Sequence, residues 1–139
     1  MNEAQAGSLD ALVNAAREIR GRAYAPYSRF RVGAAIVADG EMFAAPNVEV
    51  ASYPLSVCAE RNAVAAAVAA GHRRIDAVAV VGSGERPTPP CGGCRQVLFE
   101  FGGPGLTVIA ESPGGSRLMW ALEDLLPDAF GPSDLELDG

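Results

Sequence analysis

The sequence predicts an α/β fold, a sheet covered by helices, and three observations carry that prediction. Segments of helix and strand character alternate in the order αββαβαββ, followed by a terminal helical turn. Hydrophobic residues make up 49% of the chain and charged residues 20%, the balance of an ordinary globular protein. The length, 139 residues, suits one domain with a sizeable core. No repeat, low-complexity tract or long linker divides it, so residues 1–139 read as a single domain.

A first helix is expected over 9–22, capped by Ser8, with Leu9, Leu12, Val13, Ala16, Ile19 and Arg20 along one face. "AYAPYSRF" breaks it, because the residue before Pro26 is disfavoured from helical geometry. "RVGAAIVA" and "EMFAAPN" flank "DG", a strong hairpin signal. Pro54 and Ser56 precede an Ala-rich helix over 57–70, which Gly71 ends. "IDAVAVVG" reads as a buried strand and "SGERPTPP" as a loop. A third helix starts near Cys91 and stops at "FGGPG"; "LTVIA" and "RLMWA" are the last strands, and "LEDLLP" is a helical turn. Leu118, Met119 and Trp120 suit core or subunit contact, and the terminal "SDLELDG" reads as a solvated tail.

Composition narrows the function classes. The longest apolar run, "AVAAAVAAG", is far short of the roughly 20 residues that a membrane span needs. "MNEAQAGSLDALVN" lacks a basic stretch followed by an apolar core, so no secretory signal is read and a cytoplasmic location is expected. Thiols stay reduced there, and cysteines serve metals or catalysis more often than disulfides. All eleven basic residues are arginine, a bias that the many Ala and Gly residues trace to codon usage. A net charge of −6 with no basic stripe argues against nucleic acid as a partner.

The three cysteines fall in two short stretches, "SVCAERNA" and "PPCGGCRQ". A CxxC pair at a helix start suits a redox dithiol, half of a structural zinc site, or two of three ligands in a catalytic one. The helix start favours thiolate, the form that binds metal. Cys58 is expected in the first turn of its own helix, so two helix N-termini can aim three thiolates at one zinc and leave its fourth position open to water. Three thiolates leave the centre formally at −1, and Arg61 and Arg95 stand beside the motifs as compensating cations or as solvated surface charge. Glu60 lies about 200° around the helix from Cys58, which suits a proton carrier approaching from the side better than a fourth ligand.

Cys58-Ala59-Glu60 followed by Pro90-Cys91-Gly92-Gly93-Cys94 resembles the zinc-dependent cytidine deaminases. "AYAPYSRFRVGAA", "NVEVASYPLSVCAERNAV", "PCGGCRQVLFEFG" and "LLPDAFGPSDL" extend the resemblance over most of the chain, to the small homotetrameric class with three cysteines. The resemblance implies a three-layer α/β/α fold with a mixed five-stranded sheet. It implies one zinc per chain on Cys58, Cys91 and Cys94, with Glu60 moving protons as cytidine or deoxycytidine becomes uridine or deoxyuridine and ammonia, in pyrimidine salvage. It assigns the Ala59 backbone to the pyrimidine edge, Asn47 and Glu49 to the ribose, and Phe30 to the base. Ala51, Tyr53 and Phe130 would complete a neighbouring subunit's site, and Arg61 would offset the thiolate charge.

The pattern departs at two positions. The family's usual Cys-Asn-Val-Glu-Asn-Ala is here Pro46-Asn47-Val48-Glu49-Val50-Ala51. Val50 cannot hydrogen-bond through its side chain, and Pro46 removes a backbone donor. A modified cytosine nucleoside, as in the blasticidin-type deaminases, is therefore an alternative substrate. Nucleic-acid deaminases are a poorer match, since their first ligand is more often His and this chain is acidic. A closed structural site would need His72, the only histidine, as its fourth ligand. A redox dithiol would leave Cys58 and Glu60 without a role.

Overall fold

A computed structural model describes residues 3–135, so positions 1–2 and the 136–139 end of the expected tail lie outside the described residues. The elements are α1 (Glu3–Arg20), β1 (Gly33–Ala38), β2 (Glu41–Pro46), α2 (Ala59–Ala69), β3 (Ala77–Val81), α3 (Gly92–Gly102), β4 (Thr107–Glu111), β5 (Arg117–Ala121) and α4 (Leu122–Leu125). Short 3-10 turns lie at Tyr53–Leu55 and Pro132–Leu135. The strands form one mixed sheet in the order β2-β1-β3-β4-β5, in which only β3 and β4 run parallel. The five strands and their order along the chain match the expected α/β class.

Alternation along the strands makes three layers. Ala35, Ala77, Ala79, Val81 and Ile109 pack under α1 against Leu12, Val13 and Ala16. Ala34, Ile36, Val78, Val80 and Val108 face the other way, against Ala63, Val64 and Ala67 of α2 and Leu98 of α3. Small residues in β1 let the helices come close. A Cβ on Gly33 would lie 1.9 Å from the Ala16 carbonyl oxygen, so α1 rests directly on the backbone there.

The hairpin forms at "DG" because both turn residues, Asp39 (φ 52°) and Gly40 (φ 79°), take the left-handed geometry of a two-residue turn. Gly71 (φ 101°) ends α2 in the same conformation. The start of α1 differs from expectation: Ser8 lies inside the helix, which already includes Glu3. Residues 3–7 favour helix well enough to extend it past the capping signal, and packing on the sheet holds the later turns.

Candidate active site

Two helix starts build the reactive end of the site. Cys58 caps α2 and Cys91 caps α3, and neither cap side chain is spent on its own helix. Cys58 thus sits one position before the first turn in which it was expected. Cys94 falls in the first turn of α3 and is fully buried. The Cys58 and Cys91 sulfurs lie 3.9 Å apart, those of Cys91 and Cys94 3.4 Å, and all three sulfurs lie within 4.8 Å of one another. Tetrahedral zinc with Zn–S bonds of about 2.3 Å would set its sulfurs about 3.8 Å apart. The trio matches that spacing, and three soft thiolate donors on two helix N-termini suit zinc chemically.

Charge is arranged around Cys58. Its thiol is brought down to about 5, chiefly by the hydrogen bond that Cys94 gives it, against the opposing effect of burial; Arg61 and Cys91 lower it further. Cys94 moves the other way, because it gives that bond and is buried. Arg61 Nη2 donates to Cys58 Sγ at 3.6 Å, which places a guanidinium where a triad of thiolates needs a cation. Its Nε is buried without a partner. Arg95 does something else: Nε donates to the Pro90 carbonyl at 2.7 Å and Nη1 to that of Leu125 at 2.8 Å. It is neither surface charge nor a contact of the sulfurs.

Glu60, only 4% exposed, lines the same cavity as Cys58 and Cys91. Its carboxyl is pushed up to about 7, first by burial, an effect that its backbone hydrogen bond opposes and the nearby Cys58 charge reinforces. The cavity has a volume of about 250 Å³, and Phe30, Asn47, Glu49 and Ala59 also line it. Residues as far apart in sequence as Phe30 and Cys91 therefore meet in one space. Ser28, Val32, Val80, Thr88 and Pro89 complete its wall; the last four, as small or apolar residues in a strand or loop, carried no signal of a site.

The polar end is stapled to its own loops. Asn47 Oδ1 accepts from the Val32 N–H at 2.9 Å, while Nδ2 donates to the Phe30 carbonyl at 2.9 Å. Glu49 Oε1 accepts from the N–H groups of Tyr27 and Ser28, each at 3.1 Å. The Ser28 hydroxyl donates to Glu49 Oε2. These bonds, that of the Ser28 hydroxyl first, hold the Glu49 carboxyl below its usual range. Ser28 was missed in the sequence, where a serine after "PY" looks like ordinary turn composition.

Three expected contributors do not line this cavity. Ala51 is exposed, Tyr53 is 64% exposed, and Phe130 is 60% exposed. Tyr53 borders an adjoining space of about 410 Å³ that shares Ser28 and Glu49 with the first. Val50 is also exposed and lines neither space; its N–H donates to Ser56 Oγ at 3.1 Å. The Pro46 carbonyl accepts from Asn62 Nδ2 at 3.0 Å, which ties the end of β2 to α2.

His72 is not a fourth ligand. Its ring nitrogens pair with Asp39 at 3.1 Å and Glu41 at 3.0 Å, at the hairpin turn. Among the described residues, the three cysteines are the one group of His, Cys, Asp or Glu placed to hold a metal.

Residues 7–110 match the family model described as the cytidine and deoxycytidylate deaminase zinc-binding region. The chain belongs to this family. The cytidine deaminase of Halalkalibacterium halodurans is 42% identical over 125 residues, covering 89% of this chain and 95% of that protein. The cytidine deaminase of Mycobacterium tuberculosis is 48% identical over 114 residues, covering 81% and 82%. The crystal structure of cytidine deaminase from Burkholderia pseudomallei superimposes with a TM-score of 0.85 at 48% identity, covering 94% of this chain and all of that one. Family membership makes this a zinc-binding deaminase fold, and the cysteine trio is where its metal belongs.

Proposed function

We propose that this deaminase hydrolyses cytidine and 2'-deoxycytidine to uridine and 2'-deoxyuridine with release of ammonia, in cytoplasmic pyrimidine salvage. One observation carries the reading. A buried carboxyl, Glu60, and the Cys58 and Cys91 sulfurs share a 250 Å³ cavity with Asn47 and Glu49. Reactive groups and hydroxyl-binding groups line one space, as a nucleoside requires.

Cys58, Cys91 and Cys94 would hold the zinc, with Arg61 offsetting their charge. When bound, zinc supplies Lewis acidity, which lowers the pKa of water toward neutrality. Glu60 accepts a proton from water and passes it to the ring nitrogen beside the amine-bearing carbon. The water oxygen bonds to that carbon, the carbon–amine bond breaks, and Glu60 delivers the second proton to the departing ammonia. Nothing is oxidised or reduced. The Ala59 backbone borders the pyrimidine edge, Phe30 packs on the base, and Asn47 and Glu49 meet the ribose. Asn47 and Glu49 keep unused hydrogen-bonding capacity beyond the loop contacts they make. A site built to bond a hydroxyl discriminates against free cytosine, which lacks the sugar.

Ala51, Tyr53 and Phe130 are assigned to a neighbouring subunit's site in a homotetramer. Their exposure, and that of Leu55 (70%), supports this. The modified-nucleoside alternative rested on Val50, which lies outside the cavity lining, and it loses its main support. No described helix is long and apolar enough to cross a membrane.

The deciding experiment mixes zinc-loaded protein with cytidine and follows the ultraviolet spectrum, with Glu60→Ala as control. The expected result is conversion to the uridine spectrum, with kcat lowered about 10²–10⁴-fold in the variant. No conversion of either nucleoside by protein holding one zinc per chain would overturn the proposal.

A further inference from the structure

The two residues after Cys94 both reach for the C-terminal segment. Arg95 holds the Leu125 carbonyl, at the end of α4, and Gln96 Nε2 donates to the Phe130 carbonyl at 2.7 Å. More is done to fix this short stretch. Asp128 takes a left-handed conformation (φ 50°), which turns the chain before Phe130. A Cβ on Gly131 would lie 2.5 Å from Phe99 Cε1, so the backbone lies against that ring where only glycine fits. Asp134 closes the hook: its Oδ2 accepts from the Gly131 N–H at 2.8 Å and its own N–H donates to the Gly131 carbonyl at 2.9 Å.

The backbone around Phe130 is thus held from both sides, yet the ring is 60% exposed and is absent from the lining of its own subunit's cavity. A side chain on a pre-ordered backbone gives up little further freedom when it meets a partner. Phe99, which supports the hook, sits on α3 together with Cys94, Arg95 and Gln96.

We propose that Gln96, assisted by Arg95, is a positioning residue acting in trans: it sets the hook so that Phe130 closes the nucleoside cavity of a second copy of this chain. The inference rests on the reading above, in which Phe130 serves a neighbouring subunit. It adds the residues that aim the ring and explains why they follow a metal ligand directly. One helix carries two of a subunit's own three sulfurs at its start and, through its next two side chains, the ring lent to its neighbour.

The test compares Gln96→Ala with the parent zinc enzyme and with Phe130→Ala. Gln96 is exposed, so folding and zinc content are expected to survive its truncation. The expected result is a KM raised about tenfold, the worth of one well-made hydrogen bond, with kcat within about twofold. Phe130→Ala should raise KM at least as much, and the double variant should add little to it. Oligomers mixed from Gln96→Ala and Glu60→Ala subunits should regain a low-KM component, because an intact Glu60 can then pair with an intact hook from its neighbour.

A parent-like KM in Gln96→Ala, with Phe130→Ala impaired, would overturn this inference alone. A parent-like KM in Phe130→Ala would remove the underlying assignment as well. Loss of zinc from Gln96→Ala, or no low-KM component in mixed oligomers, would place the effect within the subunit and overturn the action in trans.

Discussion

At the helix end of the cavity stand Cys58 and Cys91, the caps of α2 and α3, and Glu60 in the first turn of α2, with Cys94 in the first turn of α3. At the other stand Phe30, Asn47 and Glu49, outside the helices and held by side-chain hydrogen bonds to their own loops. The first holds the buried groups, Cys94 fully covered and Glu60 4% exposed, beside a half-buried Cys58 and an exposed Cys91; at the second Asn47 and Glu49 are half-buried and Phe30 is 39% exposed. On the proposed function, the contrast follows from what each end would do. A metal and a proton carrier need fixed distances and little competing water, and two helix starts on one sheet supply both. On the proposed function a sugar must enter and leave, and its contacts would lie on these loops.

If the helix end is a metal centre, Cys94→Ala breaks it outright. Stoichiometric zinc should be lost and turnover should fall by well over the roughly 100-fold that removing a mere supporting contact brings. Metal analysis alongside the cytidine assay checks this, and a variant that keeps one zinc and full activity would remove Cys94 from the ligand set.

Asn47→Ala tests the loop end, with a smaller effect. It strands the Val32 N–H and the Phe30 carbonyl, so unfolding in denaturant should show a loss of about 1–3 kcal/mol. KM should rise about tenfold or more while zinc content stays at one per chain. Unchanged KM with lowered stability would make Asn47 a loop staple alone.

The smallest effect is expected far from both ends. Hydrogen bonds from Glu41 first and then Asp39 raise the His72 pKa above its ordinary value. The charged form is therefore favoured in the folded chain. Its contribution to stability is fully present below the ordinary histidine pKa of about 6.5 and is lost as pH rises through the higher folded value. His72→Ala should remove that part of the pH dependence of unfolding and leave turnover unchanged, because the residue touches no part of the cavity.

Features that arise from short-range chemistry are legible in the residues alone. "DG" makes its turn from two adjacent residues, Gly71 ends a helix through its own φ, and "CAE" and "PCGGC" announce thiols at helix starts. Each is settled within about one turn of chain, so local composition suffices to read it. Which distant groups those features meet was set by the packing of strands and helices. It brought Glu60 into one cavity with Asn47 and Glu49 and turned His72 to the hairpin acids. It also gave Ser28 to Glu49, Arg95 to Leu125 and Gln96 to Phe130. The physical reason is register: these partners lie 21 to 34 residues apart in the bonded pairs, and strand pairing and helix packing set their separation.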